Sequence, residues 1–196
     1  MPSSKYSSKQ IEVMRVQMLD TGFELIKNYG MTHTSVDKVL ETVGAGKSTF
    51  YKLFPSKGMF VYEIMKHKRS LVLISFEKLL NGRKRMTANE GKGFLKRMFT
   101  SDQSIYRYLT PEDDQKLKAA LPKEYFKDEG NDEENLTKLL YYMEGVREDI
   151  DYLLVANLMK VIGLACVNNS LLHTASYDMT IDALCDTACR YIFLDV

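Results

Sequence analysis

Residues 44–49 form the segment whose residue types most clearly suit a chemical task. The segment reads Gly-Ala-Gly-Lys-Ser-Thr, so small residues are followed by an ammonium group and two hydroxyls. Ammonium and hydroxyl groups donate hydrogen bonds to phosphate oxygens, and residues without bulk let the backbone approach a ligand closely. This chemistry indicates a phosphate-bearing partner, which is either a nucleotide or a nucleic acid.

A nucleotide-binding P-loop is the first alternative for this segment. The P-loop pattern requires a glycine at position 41, ahead of the Gly46-Lys47 pair, and Glu41 stands there instead. A carboxylate at that position would repel phosphates. The preceding residues also have the period of a helix, whereas a P-loop follows a buried strand. A P-loop-like nucleotide-binding enzyme is therefore kept only as an alternative.

The surrounding residues favour a helix-turn-helix instead. The chain has four prolines, and the long stretches between them carry apolar residues at helical spacing, which predicts an all-α fold. A first helix is expected over about 9–29. Thr34 is expected to cap a second helix that ends at Gly44. A third helix over 48–54 ends because Pro55 cannot donate a backbone hydrogen bond, and a longer fourth helix is expected beyond it.

Helix-turn-helix geometry divides the side chains of this region into two sets. Val39, Val43, Phe50 and Phe54 supply an inward apolar face, which lets the second helix brace the third. The third helix then presents small or polar residues toward a major groove about 12 Å wide. These outward residues are Ala45, Gly46, Lys47, Ser48, Thr49 and Lys52.

The same region resembles a known family. The run from Gly30 to Val36, the Val43-Gly44 pair and the run from Ser48 to Lys57 are similar to the amino-terminal DNA-binding domain of the TetR family of bacterial transcriptional regulators (TetR/AcrR type). The resemblance implies two all-α domains. Residues 1–56 would form a three-helix DNA-binding domain with a helix-turn-helix, and residues 57–196 a helical domain for effector binding and dimerisation.

The resemblance also implies roles for individual residues. Thr34, Ser35 and Lys57 match family positions that hold DNA phosphates, and Tyr51 matches a tyrosine whose hydroxyl meets the DNA backbone. The stretch 45–49 matches the residues that face the bases. The helical remainder fits the variable domain of the family in length and character.

The distribution of charge supports a nucleic-acid partner. The whole chain has a formal charge of +1, but residues 1–97 carry 18 basic and 8 acidic side chains, whereas residues 98–196 carry 9 and 18. This asymmetry indicates a basic module that meets a polyanion, here double-stranded operator DNA, and an acidic module with a different task.

The acidic half contains aromatic and methionine side chains that could line a pocket for a small apolar or amphipathic effector, although ordinary core packing would explain the same residues. The candidates are Phe94, Met98, Phe99, Tyr106, Tyr141, Tyr142 and Met159.

A homodimer is expected because one short helix reads few base pairs, and a twofold axis presents two such helices to a palindromic site. Small side chains permit close helix approach, and apolar stripes need a partner. The interface is therefore expected on the last two helices, at Ala156, Gly163, Leu184, Ala188 and Tyr191.

Other features exclude several functional classes. Three cysteines and a start without an apolar signal core favour free thiols and a cytoplasmic protein. Polar residues interrupt the longest apolar stretch, 150–167, so no membrane span is expected. No catalytic spacing is present, and Cys185 and Cys189 lack further metal ligands nearby. We therefore expect no enzyme, metal or cofactor.

Taken together, the residues predict a homodimeric, repressor-like transcriptional regulator. Its basic half would bind operator DNA, and its acidic half would sense a small molecule. Two alternatives from other classes stay open, namely the P-loop-like enzyme and a helical protein-interaction adaptor that retains the reader fold without using it.

Overall fold

The computed structural model describes residues 7–126 and 131–194. Over these residues the chain folds into helices joined by turns, with two isolated bridge pairs and no longer strand, so the all-α prediction is confirmed. The α-helices are α1 (Ser8–Tyr29), α2 (Val36–Val43), α3 (Lys47–Leu53), α4 (Lys57–Leu80), α5 (Ala88–Thr100), α6 (Pro111–Ala120), α7 (Asp132–Leu140), α8 (Tyr152–Val167) and α9 (Tyr177–Ile192).

The chain forms two compact units. Among the described residues, the first contains 7–67 and 111–122, and the second contains 68–110, 123–126 and 131–194. Helix α4 therefore contributes residues to both units, and α6 packs with the first although it is distant in sequence. The predicted division into a DNA-binding domain at 1–56 and a second domain at 57–196 stays a prediction.

A cluster of three phenylalanines forms the centre of the first unit. Phe50, Phe54 and Phe60 are fully buried, and their ring centroids lie 4.9–5.3 Å apart in tilted or edge-to-face arrangements. Burying each such side chain stabilises the fold by about 1.5–3 kcal/mol. Because these residues come from α3, its C-cap and α4, the cluster fixes how α3 lies on the unit.

Helix α1 approaches α4 closely at a glycine. A Cβ atom on Gly22 would lie 2.5 Å from the ring of Phe60 and 2.6 Å from Ile64. Such distances are shorter than real atoms tolerate, so only glycine allows this approach. The close packing holds the long first helix against the start of α4, on which α3 also rests.

The cap of α2 differs from the prediction. Ser35, not Thr34, is the N-cap residue, and its side chain accepts a hydrogen bond from the backbone N–H of Lys38 at 3.4 Å. The predicted Thr34 cap is therefore wrong by one residue. The end of the helix is as predicted: Gly44 has φ 69°, a left-handed conformation that glycine adopts without strain.

Helix α3 is short and lacks a side-chain cap at its start. Its N-cap residue is Gly46, which has no side chain to accept the first backbone N–H groups. The helix ends at Leu53, where Phe54 takes an extended conformation before Pro55. A residue that precedes proline disfavours the α conformation, so the sequence itself sets this end.

The second unit is built from α5, α7, α8, α9 and the second half of α4. Its core consists of two clusters of buried residues. One cluster includes Phe76 and Phe94, whose rings meet edge to face at 5.1 Å, and the other includes Phe99. Met98 and Met159 pack against both clusters and so lie between them.

Candidate nucleic-acid interface and the other predicted sites

Helix α3 turns an apolar side inward and a polar side outward. Val39, Phe50 and Phe54 of the predicted inward set are fully buried, and Val43 is half-buried. Of the predicted outward set, Ala45 and Thr49 are half-buried and the rest are exposed: Gly46, Lys47, Ser48 and Lys52. The structure thus brings the candidate base-facing residues together on one accessible surface, which we call the α3 face (45–49, Tyr51 and Lys52).

Tyr51 extends the α3 face. Its ring meets Phe50 edge to face at 5.3 Å, and about half of the residue, 51%, is exposed. The buried neighbour holds the ring, which leaves the phenol accessible to a partner. This geometry suits a hydroxyl that donates a hydrogen bond to a phosphate oxygen.

Two other predicted phosphate contacts have different surroundings. Thr34 is only 2% exposed, and its hydroxyl donates to the carbonyl oxygen of Gly30 at 3.2 Å. This hydroxyl is directed into the protein, so the geometry does not support the predicted phosphate contact of Thr34. Ser35 is half-buried and occupied as the cap of α2, where its position at a helix start still suits an anion.

Lys57 stands at the start of α4. Its Nζ donates a hydrogen bond to the backbone carbonyl oxygen of Thr32 at 2.8 Å, and the residue is exposed. A lysine ammonium has three N–H donors, so this bond leaves capacity for a phosphate. The contact also ties the start of α4 to the loop before α2.

Lys47 of the α3 face is held by a carboxylate. Its Nζ lies 2.9 Å from Oδ1 of Asp37 in α2, and both side chains are largely exposed, by 67% and 72%. The hydrogen bond to Asp37 and the attraction of its negative charge raise the pKa of Lys47 above its ordinary value. The ammonium is therefore fully charged at neutral pH. Sequence reasoning missed this pair because its members lie on different helices, with no periodic signal linking them.

The predicted effector residues do not line one open cavity. Phe94 and Phe99 are buried in different core clusters, and Met98, Tyr106 and Met159 are half-buried. The two remaining candidates, Tyr141 and Tyr142, are exposed on the surface and contact each other edge to face at 5.2 Å. Their exposure contradicts the idea that all seven side chains enclose a ligand in this conformation.

A very small cavity lies beside two of the predicted effector residues. It has a volume of about 10 Å³, and its lining includes Phe99, Met159, Cys185 and Ala188. This is about the space that one water molecule needs. A second, open cleft of about 300 Å³ lies on the surface of the same unit and is lined by Arg147, Asp149, Asp151, Leu154, Arg190 and Tyr191.

Most of the predicted dimer residues lie inside the second unit. Ala156 and Ala188 are buried in its core, and Leu184 packs against the cluster that contains Ala188. Gly163 faces inward as well, because a Cβ there would lie 3.8 Å from the carbonyl oxygen of Tyr106. The chain itself covers Ala156 and Ala188, which contradicts their predicted contact with a partner, whereas Gly163 and Leu184 are half-buried and their predicted role stays a prediction.

The exposed apolar residues of α8 and α9 form a different surface. Tyr191, also among the predicted interface residues, is half exposed. On α8 the exposed apolar residues follow helical spacing along one side. The set, called here the apolar α8–α9 surface, is Leu153, Leu154, Val161, Leu164 and Tyr191.

The three cysteines are free thiols, as predicted, and they are buried. Burial raises the pKa of Cys166 and Cys189, and it raises the pKa of Cys185 to about 12. Protonated, enclosed thiols react slowly. Within residues 7–126 and 131–194, histidine, cysteine and carboxylate side chains form no group of three that could hold a metal ion.

Within residues 7–126 and 131–194, no helix is both long and apolar enough to cross a membrane.

Comparisons with known proteins agree with this geometry. The family model for bacterial regulatory proteins of the tetR family matches residues 18–64, which include α2, α3 and the α3 face. Comparison with curated protein sequences gives no match.

Solved structures resemble the chain over almost its whole length. The reduced form of NemR from E. coli is 16% identical, with a TM-score of 0.57 over 94% of this chain and 99% of that one. A structure described as the molecular basis for control of antibiotic production by bacterial hormones is 18% identical, with a TM-score of 0.59 over 96% and 100%. A putative transcriptional regulator of the TetR/AcrR family is 19% identical, with a TM-score of 0.54 over 91% and 95%.

These likenesses in structure establish the fold, and the family model covers the helix-turn-helix region. Residues 18–64 therefore match the TetR family of bacterial regulatory proteins, and the chain as a whole has the fold seen in solved TetR/AcrR-family regulators.

Proposed function

We propose that this protein is a cytoplasmic, sequence-specific DNA-binding regulator that represses transcription and is controlled by a small-molecule effector. The observation that carries the proposal is the α3 face. Its polar side chains are accessible, while Phe50 on the opposite side of the same helix is fully buried. A short helix held in this way can enter a major groove and offer hydroxyl and ammonium donors to base edges.

The phosphate contacts and the base contacts come from different residues in this proposal. Tyr51, Lys57 and the α2 start at Ser35 contact the DNA backbone, because they offer an exposed phenol, an ammonium group beside the loop before α2, and a helix start, respectively. Lys47 and Thr49 contact base edges. Backbone contacts set affinity for any duplex, whereas base contacts set the preference among sequences.

A dimer is part of the proposal. Helix α3 has seven residues and is about 10 Å long, so it reaches only a few base pairs. Two copies related by a twofold axis would read a palindrome. The apolar α8–α9 surface is the interface that we propose, because exposed apolar side chains in a row are typical of protein contacts. It replaces the buried residues predicted from the sequence.

The effector is proposed to open the packing of the second unit near Phe99 and Met159. The existing cavity beside them is too small for any effector, at about 10 Å³. Met98 and Met159 lie between the two core clusters, and methionine side chains are flexible. The two clusters can therefore separate locally at a low cost in free energy. The ligand would be small and apolar or amphipathic.

Control of DNA binding follows from linkage. The spacing between the two α3 helices of the dimer must match the operator. An effector that favours a different spacing weakens DNA binding, by a coupling free energy of about 1–3 kcal/mol in typical cases. Helix α4 is the connection that we propose, since its residues belong to both compact units without a break in the helix.

The two alternatives differ from this proposal in what they require. A P-loop requires a strand before Gly44, and the structure has helix α2 there, so the nucleotide-binding enzyme loses its geometric basis. A protein-interaction adaptor would retain the fold and fail to bind DNA.

The proposal is tested by fluorescence anisotropy with a labelled duplex from the DNA upstream of the protein's own gene. We expect saturable binding that weakens steeply as salt rises from 50 to 200 mM, since phosphate contacts release counterions. A random duplex of equal length is the control and should bind more weakly. Absence of binding to both duplexes at 50 mM salt would support the adaptor instead.

A further inference from the structure

The ion pair between Asp37 and Lys47 brings a negative charge to the α3 face. Asp37 lies in the first turn of α2, one helix away from Lys47, and their charged atoms are 2.9 Å apart. Two other lysines of the helix-turn-helix region have different neighbours. Lys38 lies over an aromatic ring, and Lys57 donates to a backbone carbonyl oxygen. Asp37 is therefore matched with the lysine at the start of the recognition helix.

We propose that Asp37 restrains DNA binding by holding Lys47 in an intramolecular ion pair that competes with DNA for the ammonium group. This inference rests on the function proposed above. In the free protein the carboxylate occupies the place that a phosphate oxygen or a guanine edge would take. Duplex DNA must displace it, and the displaced carboxylate then stands near the DNA backbone as a like charge.

The exposure of the pair makes this exchange feasible. Both side chains are mostly in contact with solvent, so neither is locked by packing. Exposed ion pairs are weak, because water and salt screen them and the side chains lose freedom when they meet. The high density of phosphates on DNA can therefore break the pair. Each binding event nevertheless loses the favourable free energy of the pair, which lowers the affinity for DNA.

The restraint acts mainly on binding to unspecific sequences. At a matching site, base edges accept directed hydrogen bonds from Lys47, and these bonds offset the loss of the ion pair with Asp37. On a random duplex the only compensation is a phosphate contact, which resembles the contact that Asp37 already supplies. Asp37 thus acts as a specificity-determining residue, although its own side chain does not contact bases.

The test compares wild type with Asp37→Asn in the full chain, using a labelled random duplex and salt from 50 to 250 mM. We expect binding to become about 3- to 5-fold tighter, the range that loss of an exposed ion pair allows. The gain should be largest at 50 mM salt and shrink toward 250 mM, because salt screens the exposed ion pair that restrains Lys47 in the wild type. Asp37→Ser serves as a second variant, and circular dichroism verifies folding.

Two further variants separate this inference from a general loss of negative charge. Glu41→Gln removes an exposed carboxylate from the same helix and should change affinity by less than about 2-fold. In the Lys47→Ala background, Asp37→Asn should give no gain, because the restrained group is absent. An equal gain in that background, or an equal gain from Glu41→Gln, overturns the inference while DNA binding by the wild type stands. Absence of duplex binding by every variant overturns the proposed function and the inference together.

Discussion

Helices α3 and α8 both expose one side to solvent, yet the exposed residues differ in kind. The outer side of α3 carries lysines, hydroxyls and a tyrosine, whereas that of α8 carries Leu153, Val161 and Leu164. The inner side of each helix is apolar, as folding demands. The inner sides therefore fit the fold, and the outer sides fit the two partners proposed above: a hydrated, charged partner for α3 and an apolar one for α8.

The two helices also differ in what holds them. Helix α3 buries a single residue, Phe50, and depends on the phenylalanine cluster around it. Helix α8 buries Val155, Ala156, Ile162 and Cys166 along its length. Loss of one contact should therefore disturb α3 far more than α8.

Replacement of Phe50 by alanine should have the largest effect. The residue is fully buried among aromatic rings, and such truncations cost about 3–5 kcal/mol. Urea unfolding followed by circular dichroism measures the loss. Tyr51→Ala on the same helix is the matched control and should cost less than about 1 kcal/mol, because its side chain is half exposed. Equal losses for the two variants would contradict the inward and outward sides assigned to α3.

A charge on α8 should have the next largest effect. Val161→Asp places a carboxylate in the apolar α8–α9 surface, and we expect the dimer to weaken at least tenfold because an unpaired charge resists burial. Sedimentation velocity over a range of concentrations measures the change. Leu73→Asp, at an exposed apolar residue of α4, is the control and should leave the dimer intact. A dimer that survives Val161→Asp and dissociates with the control would relocate the interface.

Removal of a single phosphate contact should have a smaller effect. Lys57→Ala should weaken binding to specific and random duplexes alike, and it should make the salt slope less negative by about one. Anisotropy titrations at several salt concentrations measure both. Lys66→Ala, at an exposed lysine further along α4, is the control. Loss of preference for one sequence, without a change of slope, would show that Lys57 contacts a base instead.

The smallest effect should come from Glu90, whose exposed hydrogen bonds contribute to the free energy of unfolding. Hydrogen bonds from Arg83 and from the backbone N–H of Thr87 lower the pKa of Glu90 to about 2. Because the pKa of Glu90 is lower in the folded state, its ionised carboxylate stabilises the fold at pH values above the ordinary pKa of about 4.5. This contribution disappears as the pH falls toward 2. The free energy of unfolding should thus exceed that of Glu90→Gln at pH 6, with the difference shrinking below pH 4.5. A constant difference across this range would exclude the linkage.

The local elements could be predicted from the sequence because short-range chemistry sets them. Gly44 ends α2 through its left-handed conformation, and Pro55 sets the end of α3. The N-cap was misplaced by one residue because Thr34 and Ser35 are chemically equivalent as caps. They are distinguished by the hydrogen bond that the Thr34 hydroxyl donates to the carbonyl oxygen of Gly30, four residues earlier, which directs this side chain away from the start of α2.

The interface and pocket residues could not be predicted in the same way. Helical spacing shows that Ala156 and Ala188 each lie on the apolar side of their own helix. It does not show whether the rest of the chain or a partner covers that side. Similarly, aromatic composition predicts one pocket for Phe99 and Tyr141. In the fold, Phe99 lies in a core cluster and Tyr141 lies on the surface. These distinctions depend on contacts between elements that are far apart in sequence.

The most direct test of the central claim is the change in backbone amide NMR shifts when a duplex carrying the operator is added to the labelled protein. The account predicts that shifts change most at 45–52, with smaller changes near Ser35 and Lys57. Changes confined to α5–α9, with the α3 face unaffected, would contradict it.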